Sequence, residues 1–326
     1  MNATLQVLDP RHDPEPDDWE RLRLAAGQCV TWRYDLLRAY AWAAQAPVLV
    51  TVLRQDGVAV GAVSVSLRGI ARRRGVYADR RGRVGVLDVH APANRSLKGW
   101  WFAGEQRPEL LRDYVGGIRR ELGPGWRSVV WREVSDGEEL PGPARLRLPT
   151  APLAKLAVPW ADLDGWYGTL DRPRRDSLRR RARGFEGIVR VGPARELVTA
   201  AEVAELRAMN DLKYRSRLVP TAPLPLPYLE RLVGGDEVIA IAYRGRRLLG
   251  LSLILDHPSW PVCLSWGALA PEDGGRKHLY FDGYVRMVEW AIRAGKAGLV
   301  LGKGQAEVKS AIGAALVPSS ALWALP

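Results

Sequence analysis

The sequence predicts a mixed α/β protein in which one architectural pattern is used twice. Three observations carry that expectation. Apolar residues alternate between helical spacing and short β-branched runs along the chain. The order helix, helix, hairpin, strand, helix, strand occurs in each half. Neither half places a GxGxxG turn after its first strand, and GxxxxGK[ST] is absent, which disfavours dinucleotide and nucleoside-triphosphate folds.

In the first half, Asp17 to Ala44 reads as helical, with an acidic first turn in "DDWERLRLAAG" and an aromatic second segment, "RYDLLRAYAWAA". Residues 47–69 form two β-branched runs around Gln55-Asp56-Gly57, a hairpin with an Asp-Gly turn. "GRVGVLDVHAP" follows as a strand, "ELLRDYVGGIRREL" as a helix and "RSVVWREV" as a strand. Between Asp136 and Pro152 the Pro- and Gly-rich stretch "DGEELPGPARLRLPTAP" has no sustained apolar period and reads as a connection. The predicted domains are therefore residues 1–150 and 151–326.

The second half opens with the strand "PLAKLAVPW" and the segment 171–187, which holds seven arginines. A helix begun at Pro173 would dock through Leu178, Ala182 and Phe185, leaving Arg174, Arg175 and Arg181 outward. Thr199 and Glu202 form a capping box for a long helix ending at Lys213 and Tyr214. A proline-rich crossing, a short helix at "YLERLVGG" and a hairpin through Arg244-Gly245 come next. The strand "PVCLSWGAL", the amphipathic helix "LYFDGYVRMVEWAIRAGK" and a strand, helix, strand ending complete the pattern.

The 326 residues are 47% hydrophobic and 26% charged, as in a globular chain of two domains, and the net charge is +12. That excess favours phosphates or acidic surfaces as partners. Cys29 and Cys263 lie far apart without neighbouring ligands, so neither a disulfide framework nor a metal site is expected. The scattered histidines, His12, His90, His257 and His278, are expected at the surface or in loops. The acidic, proline-containing start is unlike a signal peptide and no membrane span is expected, so the expected location is the cytoplasm.

The stretches "RRDSLRRRARGFEG", "AMNDLKYRSR", "IAIAYRGRRLLGLSLIL", "LYFDGYVRMVEWAIRAGKAGLVLGKG" and "EVKSAIGA" resemble a GNAT acyltransferase domain, and residues 17–134 resemble a degenerate second copy. The tandem arrangement is similar to Fem-like and related GNAT families. That resemblance implies a mixed sheet in each of two GNAT-like domains and an enzyme that joins an acyl or aminoacyl group to an amine. It implies no bound cofactor. The donor would be an aminoacyl-tRNA or, alternatively, an acyl-CoA, and the acceptor an amine of a small molecule or cell-wall precursor.

The usual pyrophosphate loop has one spacing match, Arg54 to Ala59, but it falls across a hairpin where the amides belong to the sheet. At the loop's proper place stands "APEDGGRKHL". Gly274 and Gly275 would admit a phosphate close to the backbone, and Arg276 and Lys277 would pair with it, although the spacing departs from the signature. For a tRNA donor, the arginine helix is the expected grip, with affinity falling steeply in salt. The competing reading is a solvated helix face, or an RNA-binding protein without catalysis.

Aminolysis needs an uncharged amine, a polarised carbonyl and a proton for the leaving group. Asp282 is the candidate amine-binding carboxylate, and Tyr280 a candidate proton donor. Resemblance to Fem-like enzymes puts Lys309 beside the donor's terminal phosphates. Lys303, Lys213 and Tyr214 are further donor-binding candidates. With no Ser-His-Asp, Cys-His or paired-carboxylate set, direct transfer is expected.

Overall fold

A computed structural model describes residues 3–44, 46–69, 84–105, 107–141, 145–185, 187–213 and 224–325. In chain order the first elements are β1 (Thr4–Leu8), α1 (Trp19–Ala25), α2 (Tyr34–Ala43), β2 (Val48–Gln55), β3 (Val58–Gly69), β4 (Gly85–Val89), β5 (Trp100–Phe102), α3 (Pro108–Leu122), β6 (Trp126–Val134) and β7 (Arg145–Pro149). Then come β8 (Leu153–Ala157), α4 (Leu163–Gly168), α5 (Arg172–Arg183), β9 (Val189–Pro193), α6 (Ala194–Leu197), α7 (Ala200–Lys213) and α8 (Leu226–Gly234). The remainder is β10 (Val238–Arg244), β11 (Leu248–Leu255), β12 (Val262–Ala268), α9 (Leu279–Arg293), β13 (Gly298–Gly302), α10 (Ala306–Ser310), β14 (Ala315–Val317) and β15 (Ser320–Ala324). Two compact units result: residues 1–151 with 318–326, and residues 152–317.

The first unit is a mixed sheet in the order β1-β2-β3-β4-β6-β15-β7, with β5 paired to β3. Its hairpin turns at Asp56 and Gly57, both at positive φ, as an Asp-Gly turn requires. One face packs on α3, where Trp131 is fully buried against Trp100 at 5.3 Å and Tyr114 at 6.1 Å between ring centroids. On the other face Trp101, opposite Ala62, meets Trp19 of α1 and Trp32 at 5.9 and 5.5 Å.

Four details differ from the sequence reading. β1 was not expected; it pairs with β2 from Thr4↔Arg54 to Leu8↔Val50. The stretch read as a connection contains β7, whose alternating Arg-Leu-Arg-Leu is a period-2 signal too short to stand out among prolines. The terminal strand β15, grouped with the second half at a 150/151 boundary, pairs with β6 and β7 in the first sheet. His90 lies in the loop after β4, one of the two placements expected, but is not at the surface: it is buried, with Nε2 2.9 Å from Ser66 Oγ.

The second unit is a sheet in the order β14-β8-β13-β12-β11-β10-β9. Its α5 begins one residue before the expected Pro173, where the Asp171 side chain accepts from the Arg174 amide at 2.7 Å. Leu178 and Phe185 dock this arginine-rich segment as expected. The Thr199–Glu202 capping box forms, with Glu202 accepting from the Thr199 amide at 2.9 Å. No helix among the described residues is long and apolar enough to cross a membrane.

Candidate functional site

Within the second sheet β12 and β13 run parallel, but only Val262 and Val300 are paired. Beyond that point β12 stays with β11 and β13 with β8, so the two strands part toward their C-terminal ends. Crevices at the carboxyl ends of diverging strands are where open α/β sheets bind ligands. Helices pack closely on β12 at this point. Trp266 of β12 packs against Gly283 of α9, where an added Cβ would stand 3.3 Å from its ring. The neighbouring Gly267 lets α7 pass, since a Cβ there would meet the Leu206 carbonyl oxygen at 2.8 Å.

Lys309, from α10, enters this region with only 5% of its surface exposed. Its ammonium would stand 4.0 Å from a Cβ added at Gly302, the end of β13, where φ is +77°. It has no carboxylate and no side-chain hydrogen-bond partner among the described residues, and burial pulls its pKa down. Lys309 opposes the burial that pushes the half-buried Cys263 thiol up to about 11. Cys263 in turn acts on Tyr284, whose phenol burial pushes up, and Tyr284 shares a 2.6 Å hydrogen bond with Tyr280. Tyr280 also packs edge-on against Trp266 at 5.5 Å. Among the described residues the crevice therefore presents a largely buried lysine without an anion, followed by a pair of phenols. An unpaired buried charge is costly, and a bound anion would offset that cost.

Solved structures with this architecture are similar at low identity. The chain aligns with FemX at 9% identity over 98% of this chain and 97% of that one, with a TM-score of 0.57. A Bacteroides thetaiotaomicron protein of unknown function aligns at 10% identity over 98% and 100%, TM-score 0.60. A domain from Agrobacterium fabrum, assigned as the C-terminal part of a lysylphosphatidylglycerol synthetase, aligns at 14% over 94% and 92%, TM-score 0.53. The fold is the expected mixed α/β arrangement in two units, and it is shared with FemX over nearly the whole of both chains. No protein-family model matches the chain, and no curated protein matches its sequence.

Asp282, two residues from each phenol on α9, has partners of its own. It is fully buried, accepts from Tyr243 Oη at 2.8 Å and lies 3.4 Å from Arg286 Nε. Its other oxygen has no hydrogen-bond partner among the described residues, and burial raises its pKa. Arg286 also donates to the Ala182 carbonyl at 3.0 Å, tying α9 to α5. This carboxylate ties α9 to β10 and, through Arg286, to α5, and is closed to solvent.

The arginine helix meets the start of α9 directly. Arg181 stacks on Phe281 at 4.8 Å, while Arg174 and Arg175 are partly exposed on the same helix. Arg179 is instead bound to Asp164 at 2.6 Å. In the loop before α9, the Gly274 and Gly275 amides close the turn onto Pro271 and Ala270 at 3.1 and 2.9 Å, which removes them as phosphate donors. Gly275 is required because a side chain would collide with the Leu269 carbonyl. The amides of residues 276–279 make no hydrogen bond to the described residues, and Arg276 and Lys277 are exposed beside them. Lys303 lies in the turn between β13 and α10, Lys213 ends α7, and Tyr214 lies outside the described residues. Sequence reasoning missed Tyr284, Tyr243 and Arg286, although Tyr280/Tyr284 and Asp282/Arg286 are both i, i+4 pairs on one helix.

Proposed function

We propose that the second unit is an amide-forming acyltransferase whose donor is an aminoacyl-tRNA and whose acceptor is an amine on a small molecule or cell-wall precursor. The observation that carries this reading is Lys309, 5% exposed and without a carboxylate partner among the described residues, beside the parting of β12 and β13. A donor phosphate would supply its counter-charge. The acceptor nitrogen attacks the ester carbonyl, the C–N bond forms, the C–O bond to the ribose breaks, and the proton lost by nitrogen balances the one gained by the ribose oxygen. The Tyr280–Tyr284 hydroxyl pair is the candidate route for that proton. Arg181 on Phe281 at the start of α9, with Arg174 and Arg175 on the same helix, supports a polyanionic donor, as does the net charge of +12.

A second reading, an acyl-CoA donor, is favoured by the unused amides of residues 276–279, which suit a pyrophosphate. Titration against mixed aminoacyl-tRNA and against CoA thioesters, each at two salt concentrations, separates the two. Salt-sensitive tRNA binding that falls on replacing Arg174, Arg175 and Arg181 together, with transfer lost in Lys309→Met, is the expected result. Binding of a CoA thioester without tRNA affinity overturns the tRNA donor. Full transfer by Lys309→Met overturns the placement of the site.

A further inference from the structure

The first sheet ends on an open edge. β7 follows β15 at the end of the strand order, and among the described residues no strand pairs with its other side. One step beyond the Ser320↔Pro149 pair, the Thr150 amide donates to the Ser319 carbonyl at 3.0 Å, so these two residues form a hydrogen-bonded pair. Such pairs alternate along an antiparallel ladder, which makes Leu148↔Ala321 and Leu146↔Trp323 hydrogen-bonded as well. The backbone groups of Arg145, Arg147 and Pro149 therefore turn away from β15. Arg145 and Arg147 each present an N–H and a C=O there, and Pro149 a C=O alone.

The two faces of this edge differ in chemistry. Leu322, opposite Arg147, belongs to the α3 core, so Leu146, Leu148 and Trp323 point to the other side of the sheet. They are 59%, 46% and 43% exposed, and Leu325, two residues after Trp323, is 50% exposed. Arginines occupy the alternate positions of β7, and the Arg147 side chain keeps 37% of its surface exposed although Asp136 lies 3.6 Å away. An occupant of this edge has to meet apolar side chains on one face, positive charge on the other and open backbone groups between them. A second copy of β7 fails on two counts. In the two-fold register with the longest overlap Arg147 opposes Arg147, and like charges directly opposite are destabilising. The same register sets Arg145 against Pro149, which has no amide to donate. Four exposed apolar side chains also fall well short of the roughly 20–30 residues a side that stable globular interfaces use. An extended segment that alternates apolar and acidic residues meets all three demands, because strand addition draws affinity from the backbone and specificity from alternate side chains.

We propose that β7 is a docking edge for an extended segment of a partner protein, added as an antiparallel strand with its acidic residues opposite Arg145 and Arg147 and its apolar residues beside Leu146, Leu148 and Trp323. The edge lies in the first unit and does not rest on the transfer reading. The full chain is titrated by fluorescence anisotropy with a short labelled peptide of alternating glutamate and valine, and with its lysine–valine counterpart. The glutamate–valine peptide is expected to bind and the lysine–valine peptide not measurably. N-methylation of the glutamates, whose amides would face β7, should weaken binding about tenfold or more, whereas N-methylation of the valines should not. Arg147→Glu should transfer the preference to the lysine–valine peptide. Trp323→Ser should weaken binding and leave the preference for glutamate intact. No binding of the glutamate–valine peptide, equal binding of the two peptides, or equal effects of the two N-methylations overturns the proposal. So does a dimer in sedimentation that Trp323→Ser dissociates, since the edge would then belong to a second copy of the chain.

Discussion

Strands β4 and β6 in the first unit hold the same place in the repeated order as β12 and β13 in the second, yet they meet differently. The first pair is zipped from Gly85↔Trp126 to Val89↔Trp131, whereas the second is joined only at Val262↔Val300. Zipping satisfies the backbone within the sheet and lets Trp126 and Trp131 fill the core beneath it. Parting the strands gives up ladder bonds and makes room for side chains with unmet electrostatic needs, of which Lys309 is the clearest. One topology thus serves packing in one unit and a crevice in the other. The difference lies in the side chains at the seam.

The largest effect that tests this contrast is on stability. Trp131→Ala removes a fully buried ring from the zipped seam and should cost about 3–5 kcal/mol in chemical denaturation. Trp266→Ala, at the partly exposed wall of the crevice, should cost less than half as much and impair transfer. Equal destabilisation by the two would break the contrast, because the crevice wall would then be core.

The outline of both units was legible because it rests on local signals. The Asp56-Gly57 turn, the Thr199–Glu202 box and the Leu178 and Phe185 docking face each declare themselves within a few residues. What escaped depends on pairing across long separations. Nothing near residues 320–324 shows that they will lie between Val129–Val134 and Arg145–Pro149. The site was legible in the same proportion. Lys309 and Tyr280 were visible as residue types at a resembling position, but the burial of Asp282 against Tyr243, 39 residues away in sequence, is a property of the packed sheet.

A smaller effect sharpens the crevice side. The depressed pKa of Lys309 means that the unfolded chain holds this proton more tightly than the folded one. Stability from this group is therefore reduced at neutral pH and recovers as pH rises from the folded value toward the unfolded 10.5. Lys309→Met removes the charge and keeps much of the stem volume. It should raise stability near pH 7, with the gain shrinking as pH approaches 10. A destabilised Lys309→Met at pH 7 would mean that the ammonium is already compensated inside the protein.

The smallest effect distinguishes the two phenols. Tyr284 is 4% exposed, while Tyr280 is partly exposed, and their hydroxyls share one 2.6 Å hydrogen bond. Tyr280→Phe would leave the Tyr284 hydroxyl buried without that partner, a loss of about 1 kcal/mol. Tyr284→Phe leaves the other hydroxyl where water can reach it, so its hydrogen-bonding cost should be smaller. Denaturation curves for the two variants give that order. Transfer rates then ask a separate question: if the pair moves the leaving-group proton, each phenylalanine variant should lower kcat more than the stability difference alone accounts for. Equal kcat in both variants and the parent protein would leave the phenols as lining of the crevice, with the proton taken elsewhere.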